Sequence, residues 1–356
     1  MPELKAQHKL TQLIKDIRGK DSKELRKKFE YMPKANKPID WSSYTRAQIM
    51  EMNNNLVLIK NMTEEAAQRV SHKIQCKGKV GAPYKKSFED KAKAVLVQQL
   101  FGVADRIAEG LIILFREKLG ITEHVTAKDI ERAYDNRYVM VIVQEVFEMT
   151  NEPVRDKETC FSVDGTGEPT SIKRNWENGK GDDKKVKMFE RVIGMVGVHT
   201  LMFSDVLVAD NPQDNESPYF KELLMGTNDR YKRIDFVYAD GMYLSRDNCE
   251  LVESVGAKPR ILPKTNTKLN AKGSFAWKRM LLELLKNPQK WLEEYHNRSL
   301  SESANSSWKR RFRKPLNRII ECRRKFECFA RACVHNIRRL GYLSCLWDLD
   351  VPWLNG

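Results

Sequence analysis

Four polar residues between positions 295 and 309 recur at a spacing that places them on one side of a helix. In the sequence YHNRSLSESANSSWK they are Tyr295, Arg298, Glu302 and Lys309. Steps of three, four and seven residues return to the same face of an α-helix. A carboxylate is thereby held beside two cations and a phenol, which suits a metal ion and a phosphodiester better than a protein core. A solvated charged face is the alternative interpretation of this pattern.

Two aspartates upstream each follow a run that is typical of a β-strand. The segment TCFSV precedes Asp164, the segment IDFVYA precedes Asp240, and a glycine follows each acid. Such β-branched and aromatic runs indicate strands that deliver an acid to the rim of a sheet. An Asp-Gly pair after a strand is also a common turn, so neither aspartate alone indicates a site. The two together, followed by Glu302, are much less expected by chance. Asp205 lies in another predicted strand and Asp210 follows it, but both lack the Asp-Gly context and rank below these two.

Three carboxylates in one site would require a cation, because clustered carboxylates repel and raise one another's pKa. Two Mg²⁺ ions about 3.5–4 Å apart can hold the attacking and leaving oxygens of an in-line phosphoryl displacement. Magnesium prefers oxygen ligands and needs only one or two carboxylates per ion. Three acids therefore suffice if Asp164 bridges the two ions. We expect a site for two Mg²⁺ ions, for which Mn²⁺ could substitute.

The pattern Y-x2-R-x3-E-x6-K resembles the signature of the DDE transposases of bacterial and archaeal insertion sequences. The segment YADGMYLSRDNCELVESVGAKPRILPKTN around Asp240 is also similar to the second-aspartate region of that family. The resemblance implies that Asp164, Asp240 and Glu302 are the catalytic, metal-binding acids. It also implies that Arg298 and Lys309 meet the DNA backbone.

The resemblance extends from about residue 160 to residue 340, and more loosely over residues 88–140. One departure is Ala304-Asn305, where many members of that family carry a bulkier apolar residue. It weakens the assignment to a subgroup without affecting the acid at Glu302.

The order of predicted elements agrees with an RNase H-like domain. Periodicity predicts strands at 159–163, 191–200, 202–209, 234–239 and 259–263, with a polar stretch at 174–187. Helices are predicted at 218–225, 247–255, 275–291 and 298–313, and the last resumes after Pro315 to about Leu340. We therefore expect an α/β fold in which residues 151–356 form an RNase H-like, mixed-sheet catalytic domain with a long basic C-terminal helix. Asp164 and Asp240 would be neighbours at one edge of its sheet.

Residues 1–150 are predicted to form a basic, helical DNA-binding region. Helical patterns cover residues 88–101 and 103–119, and Thr126 is placed to cap a third helix. The run TAKDIERAYDNRY resembles the last helix of a helix-turn-helix in related transposases, so the helix-turn-helix-like part extends over about 84–150. A three-helix packing unit without DNA contact is the alternative. The exposed candidates for DNA contacts are Lys128, Arg132 and Arg137, with Arg106 a weaker one.

Charge and composition favour a polyanionic partner. The chain of 356 residues carries 63 Lys and Arg against 48 Asp and Glu, a net charge of +15 that favours phosphate contacts. No apolar stretch approaches the roughly 20 residues that span a bilayer, and the first residues lack the apolar region of a secretory signal. The seven cysteines fall singly, without a CxxC pair, so reduced thiols in a cytoplasmic, DNA-associated protein are expected.

The predicted function is that of a DNA transposase. Such an enzyme cuts the ends of its own element in a metal-dependent reaction and joins the freed 3′-hydroxyl to target DNA. Its expected partners are the terminal inverted repeats, the target DNA and a second copy of the chain, with no membrane. An RNase H-like nuclease without strand transfer and a domesticated, transposase-derived DNA-binding protein remain open.

A basic track along the C-terminal helices is expected to follow the DNA phosphates. Trp308, beside it, could stack on a displaced base. The cations of this track are Lys309, Arg310, Arg311, Arg313, Lys314, Arg318, Arg323, Arg324 and Lys325.

Overall fold

The structure is a computed structural model of the chain, and it describes residues 2–30, 38, 40–74, 86–176 and 184–355. The helices that precede the first strand are α1 (Pro2–Arg18), α2 (Ser22–Phe29), α3 (Trp41–Arg69), α4 (Ser71–Ile74), α5 (Phe88–Phe101), α6 (Asp105–Leu114), α7 (Arg116–Leu119), α8 (Ala127–Ala133) and α9 (Arg137–Asn151). The elements that follow are β1 (Cys160–Trp176), β2 (Lys184–Gly197), β3 (Phe203–Val208), α10 (Phe220–Arg230), β4 (Phe236–Ala239), α11 (Arg246–Ser254), β5 (Lys258–Ile261), α12 (Phe275–Lys286), α13 (Pro288–Tyr295), α14 (Ser299–Arg311) and α15 (Glu321–Leu346). No helix in these ranges is both long and apolar enough to cross a lipid bilayer.

The five strands form one mixed sheet in the order β3-β2-β1-β4-β5. β1 pairs antiparallel with β2, and β2 pairs antiparallel with β3. β4 lies parallel to both β1 and β5. This order and these directions are those of an RNase H-like domain, so the predicted α/β class is confirmed. The carboxyl ends of the parallel strands β1, β4 and β5 point the same way, which defines the edge where the predicted acids should meet.

β1 is much longer than the sequence predicts. The predicted strand ended with Asp164 at its tip, whereas β1 continues to Trp176 and pairs with β2. The prediction was wrong because the inward-facing residues of the extension are polar and produce no hydrophobic alternation. Within the predicted polar stretch at 174–187, residues 177–183 lie outside the described part of the chain. The buried polar residues of the extension are Thr166, Glu168 and Thr170.

The segment with the four spaced polar residues is not a single helix. A 3-10 turn at His296–Arg298 separates α13 from α14. The helix predicted over 275–291 is also divided, since Pro288 begins α13 and proline fits best in a first helical turn. Glu302 and Lys309 nonetheless share α14 and, at a spacing of seven residues, one of its faces.

One hydrophobic core joins the N-terminal helices to the sheet. It includes Ile14 of α1, Leu58 of α3, Val143 of α9 and Val334 of α15. α15 packs against α3, α5 and α9 and also against β2 and β3. The predicted boundary at residue 150 therefore does not separate two cores, and the helical region is fixed to the sheet.

Two buried acids in the sheet are neutralised by α15. Glu168 and Glu190 are cross-strand partners on β1 and β2, and like charges in directly opposite positions destabilise a sheet. Arg331 donates to the carboxylate of Glu168 at 2.6 Å, and Arg324 donates to that of Glu190 at 2.5 Å. Two positive charges of α15 are thus paired with acids inside the protein.

Candidate active site

Asp164 on β1 and Asp240, the residue after β4, lie at equivalent positions along these neighbouring parallel strands. The ladder between β1 and β4 ends with the pair Ser162 and Tyr238, and each aspartate follows two residues later. Adjacent strands in a sheet are about 4.8 Å apart. The structure therefore brings these two sequence-predicted acids side by side.

Hydrogen bonds hold both carboxylates in place. Asp164 accepts one bond from the backbone N–H of Gly165 at 3.1 Å and another from Nδ2 of Asn305 at 2.9 Å. Asp240 accepts a bond from the backbone N–H of Gly241 at 2.5 Å. Because Asn305 belongs to α14, the acid of β1 is connected directly to the helix that carries Glu302.

The electrostatic environment of Asp164 acts in two directions. Burial raises the pKa of this carboxyl, and the negative charge of Glu216 contributes to the increase. The Arg298 guanidinium and the bonds from Asn305 and Gly165 oppose it. Asp164 thus lies where a cation would stabilise its ionised form.

Glu216 is a fourth acid beside the pair, and the sequence did not indicate it. Its carboxylate accepts a bond from Arg191 at 2.7 Å and one from the Tyr243 hydroxyl at 2.8 Å. A Cβ built on Gly165 would lie 2.2 Å from Oε1 of Glu216. Residue 165 must therefore be glycine for this buried acid to lie against β1.

Glu302 faces the same cavity as Asp164 but is paired with a cation. A cavity of about 410 Å³ is lined by Asp164, Glu302, Asn305 and Lys309, among others. The Glu302 carboxylate forms an ion pair with Arg298, one helical turn earlier, and its side chain is 55% exposed. This pair holds the acid at the rim of the cavity.

The Arg298 guanidinium lies within electrostatic reach of all three predicted acids. Burial disfavours its charge, yet the attraction of Tyr295, Glu302, Asp164 and Asp240 raises its pKa. A positive group is therefore placed where the sequence predicted metal ions.

The predicted three-acid cluster is not assembled in this conformation. Among the residues that the structure describes, no three His, Cys, Asp or Glu side chains are arranged to hold one metal ion. Asp164 and Asp240 are neighbours as expected, whereas Glu302 is drawn towards Arg298. The oxygen donors of the three side chains suit a hard divalent cation, and the exposed Glu302 side chain has room to turn.

Tyr295 is placed for support rather than for DNA contact. It is only 9% exposed, and its ring stacks on Trp291 at a centroid distance of 5.3 Å. Burial raises the pKa of its phenol to about 12, although the Arg298 guanidinium beside it acts in the opposite direction. The expectation that Tyr295 binds DNA is not supported, because little of its ring reaches solvent.

The cations at the end of α14 lie around the cavity. Lys309 and Arg310 are exposed, and both line it together with Arg313. Arg311 points elsewhere and forms an ion pair with Glu51 of α3 at 2.6 Å. The predicted phosphate contacts are therefore best placed at Lys309 and Arg310.

The expected basic track does not continue along α15. Arg318 is 4% exposed and forms an ion pair with Asp105, and Arg324 pairs with Glu190 inside the core. The sequence prediction counted positive charges without their acidic partners, and the partners of these two arginines, Asp105 and Glu190, lie more than 100 residues away. Arg323 and Lys325 are also paired with acids, namely Asp135, Glu131, Asp210 and Glu321.

Trp308 belongs to the core. It is fully buried, its indole N–H donates to the carboxylate of Glu168, and its ring contacts Phe203 edge to face at 5.3 Å. The prediction that it could stack on a displaced base was wrong.

The candidates in the helical region are accessible. Lys128, Arg132 and Arg137 are exposed on α8 and α9, and the predicted cap of α8 at Thr126 is confirmed. Lys128 forms an ion pair with Glu131 at 2.6 Å and remains 62% exposed. All three cations can reach a ligand in solvent.

The comparisons with known proteins agree with this geometry. The family profile described as "Transposase DDE domain" matches residues 155–337, just over half of the chain. The "Probable transposase for insertion sequence element ISA1214" of Archaeoglobus fulgidus is 27% identical over 266 residues, which cover 74% of this chain and 78% of that protein.

Among solved structures, the "Mos1 transposase paired-end complex with left transposon end" aligns with 86% of this chain and 97% of its own. The identity is 9% and the TM-score is 0.22, so the sheet topology, rather than this superposition, establishes the fold. The family match contains Asp164 on β1, Asp240 directly after β4, and Glu302 on α14. The chain belongs to the family of transposases with a DDE domain.

Proposed function

We propose that Asp164, Asp240 and Glu302 are the acids with which this transposase binds two Mg²⁺ ions, or Mn²⁺ in their place. The observation that carries the proposal is the equivalent position of Asp164 on β1 and of Asp240 at the end of β4, with Glu302 on the rim of the adjoining cavity. Divalent ions bound there would supply a metal-activated water and stabilise charge on the phosphodiester oxygens.

Arg298 connects DNA binding to the assembly of this site. In the structure its guanidinium is paired with Glu302. A DNA phosphodiester carries one negative charge, as a carboxylate does, and offers the guanidinium an alternative bidentate partner. Transfer of Arg298 from Glu302 to the phosphate would free Glu302 to turn towards Asp164. Tyr295 would support Arg298 in this movement.

Double-stranded DNA is the partner in this proposal. Lys309 and Arg310 would contact the phosphates next to the acids. Lys128, Arg132 and Arg137 would contact the terminal inverted repeats of an insertion sequence, and the same active site would then join the freed 3′-hydroxyl to target DNA. A homodimer would place one catalytic site on each end of the element.

The acids can be tested with DNA taken from both sides of the gene. We expect Asp240→Asn and Glu302→Gln to abolish strand cleavage in Mg²⁺ while DNA affinity stays near that of the wild type. Asp210→Asn is the matched control, because Asp210 is 91% exposed and pairs only at the surface. Cleavage by Asp240→Asn at the wild-type rate would refute the assignment.

The same assay separates the alternatives. Cleavage followed by joining to a second duplex identifies a transposase that completes both steps. Cleavage without joining would favour an RNase H-like nuclease. Binding without cleavage in either Mg²⁺ or Mn²⁺ would favour a domesticated DNA-binding protein.

The role of Lys309 is tested by separating activity from stability. Its side chain is exposed at the cavity and pairs with no acid of the described ranges. Lys309→Ala should therefore leave the melting temperature near the wild-type value and reduce cleavage or joining by about an order of magnitude or more, because one contact to the transition state is lost. A lower melting temperature with unchanged specific activity would show a structural role instead.

A further inference from the structure

Helix α1 is anchored to the loop that follows β5. The side chain of Gln7 donates to the carbonyl oxygen of Thr267 at 3.1 Å and accepts from the backbone N–H of Leu269 at 2.7 Å. Leu10 and Ile14 of the same helix are buried in the core. The last residue of α1 is thereby held at the edge of the sheet where the acids lie.

That last residue, Arg18, reaches the residue after Asp240. Its Nε donates to the carbonyl oxygen of Pro263 at 2.7 Å. A Cβ built on Gly241 would lie 2.6 Å from Nη2 of Arg18 and 3.8 Å from Cγ of Lys264. Two basic side chains from distant parts of the sequence therefore converge on the backbone beside Asp240, and glycine at position 241 makes the close approach of Arg18 possible.

These two cations lack acidic partners. Both side chains are exposed, and within the described part of the chain neither forms an ion pair with a carboxylate. The carbonyl bond occupies only one of the guanidinium nitrogens of Arg18. A cation at a helix C-terminus interacts favourably with the helix dipole, but this does not explain why Arg18 approaches Gly241 so closely.

We propose that Arg18 and Lys264 form a phosphate-binding pair for the DNA backbone, on the opposite side of the acids from Lys309. The inference rests on the proposed function, because it requires DNA to cross Asp164 and Asp240. In the sheet, β1 carries Asp164, Asp240 directly follows β4, and β5 leads to Lys264, so the pair lies on the β5 side. Contacts on both sides of the scissile phosphate restrict its orientation for in-line attack.

The pair can be tested by the salt dependence of DNA binding. The probe is a fluorescein-labelled duplex of arbitrary sequence, because phosphate contacts do not depend on sequence. Each phosphate contact contributes about 0.9 to the slope of log affinity against log salt, or about an eightfold change in affinity per tenfold change in salt. We expect Arg18→Ala and Lys264→Ala, each in the full-length chain, to lower this slope by about 0.9.

Two further variants distinguish phosphate binding from a structural role. Lys9→Ala removes an exposed cation from the same helix and should leave the slope unchanged. Arg18→Lys keeps the charge and should restore the slope, although it cannot bind a phosphate bidentately. If Arg18 served only to hold α1 on Pro263, Arg18→Ala would lower the melting temperature and leave the slope at the wild-type value, which would overturn the proposal.

The test also separates this inference from the proposed function. A wild-type slope in Arg18→Ala and Lys264→Ala, alongside a reduced slope in Arg310→Ala, would overturn the pair alone. Absence of salt-dependent DNA binding by the wild type would overturn the proposed function, and the pair with it.

Discussion

Replacing Arg324 by Met tests whether α15 belongs to the core or to the DNA-binding surface. Arg324 is 7% exposed and Glu190 is 3% exposed, and the guanidinium also donates to the carbonyl oxygen of Ile319. Methionine has a similar length but no charge, so the variant would bury the Glu190 carboxylate without its partner. Breaking a buried pair from one side costs about 3–5 kcal/mol, a large part of the roughly 5–15 kcal/mol that stabilises a typical domain.

The measurement is urea unfolding together with the salt slope of DNA binding. We expect Arg324→Met to lower the unfolding midpoint at an unchanged m-value and to leave the slope unchanged. The neighbouring change Lys325→Met is the control: Lys325 pairs with Asp210, which is 91% exposed, so the expected loss is about 0–1 kcal/mol. Changing Arg324 and Glu190 together to Met should recover most of the lost stability, because no buried charge remains.

The opposite result would restore the interpretation of α15 as a DNA track. In that result, Arg324→Met would have the wild-type unfolding midpoint, and the salt slope of its DNA binding would be lower by about one unit. Arg324 would then contact phosphate in solution, and its pairing with Glu190 would not describe the DNA-binding state.

Two other predictions follow from buried acids near the sheet. Gly165→Ala should destabilise the protein by about 1–3 kcal/mol and impair cleavage, since its Cβ would lie 2.2 Å from Glu216. Gly110→Ala, where a Cβ meets nothing within 4 Å, is the control and should be neutral or slightly stabilising. Burial raises the pKa of Asp205 to about 6 from 3.8, although Arg230 opposes the increase. The folded state then holds this proton more tightly than the unfolded state, so stability falls as pH rises from about 4 to about 6. Asp205→Asn should remove this fall, and unfolding midpoints that decline equally in variant and wild type would contradict it.

The order of the elements could be predicted because most of them bury apolar faces. The strands before Asp164 and Asp240 and the cap of α8 at Thr126 are local signals, and the structure contains each of them. The length of β1 could not be predicted, because its inward residue Glu168 is tolerated through Trp308 and Arg331, 140 and 163 residues later. The local pattern of residues around Glu168 does not show a partner so far along the chain.

The site shows the same division between local and distant information. The register of the aspartates follows from the strand pattern and the known topology of the fold. The pairing of Arg298 with Glu302 could have been expected from their spacing of four residues, since opposite charges at that spacing attract on a helix. The role of Asn305 was visible only as a departure from the family, and its bond to Asp164 requires the packing of α14 on β1. Arg18 and Glu216 gave no local signal at all.

The continuous core has a consequence for where this enzyme can cut. α8 is connected to α15 through the ion pair of Glu131 with Arg323, and α15 is connected to the sheet that holds the acids. If the helical region binds the element's ends, the distance from the bound sequence to the scissile phosphate is fixed. The protein would then cut at a set number of base pairs from that sequence. Five extra base pairs between the bound sequence and the cleavage site are about half a turn of DNA. They would turn the scissile phosphate to the far side of the double helix, out of reach of the active site.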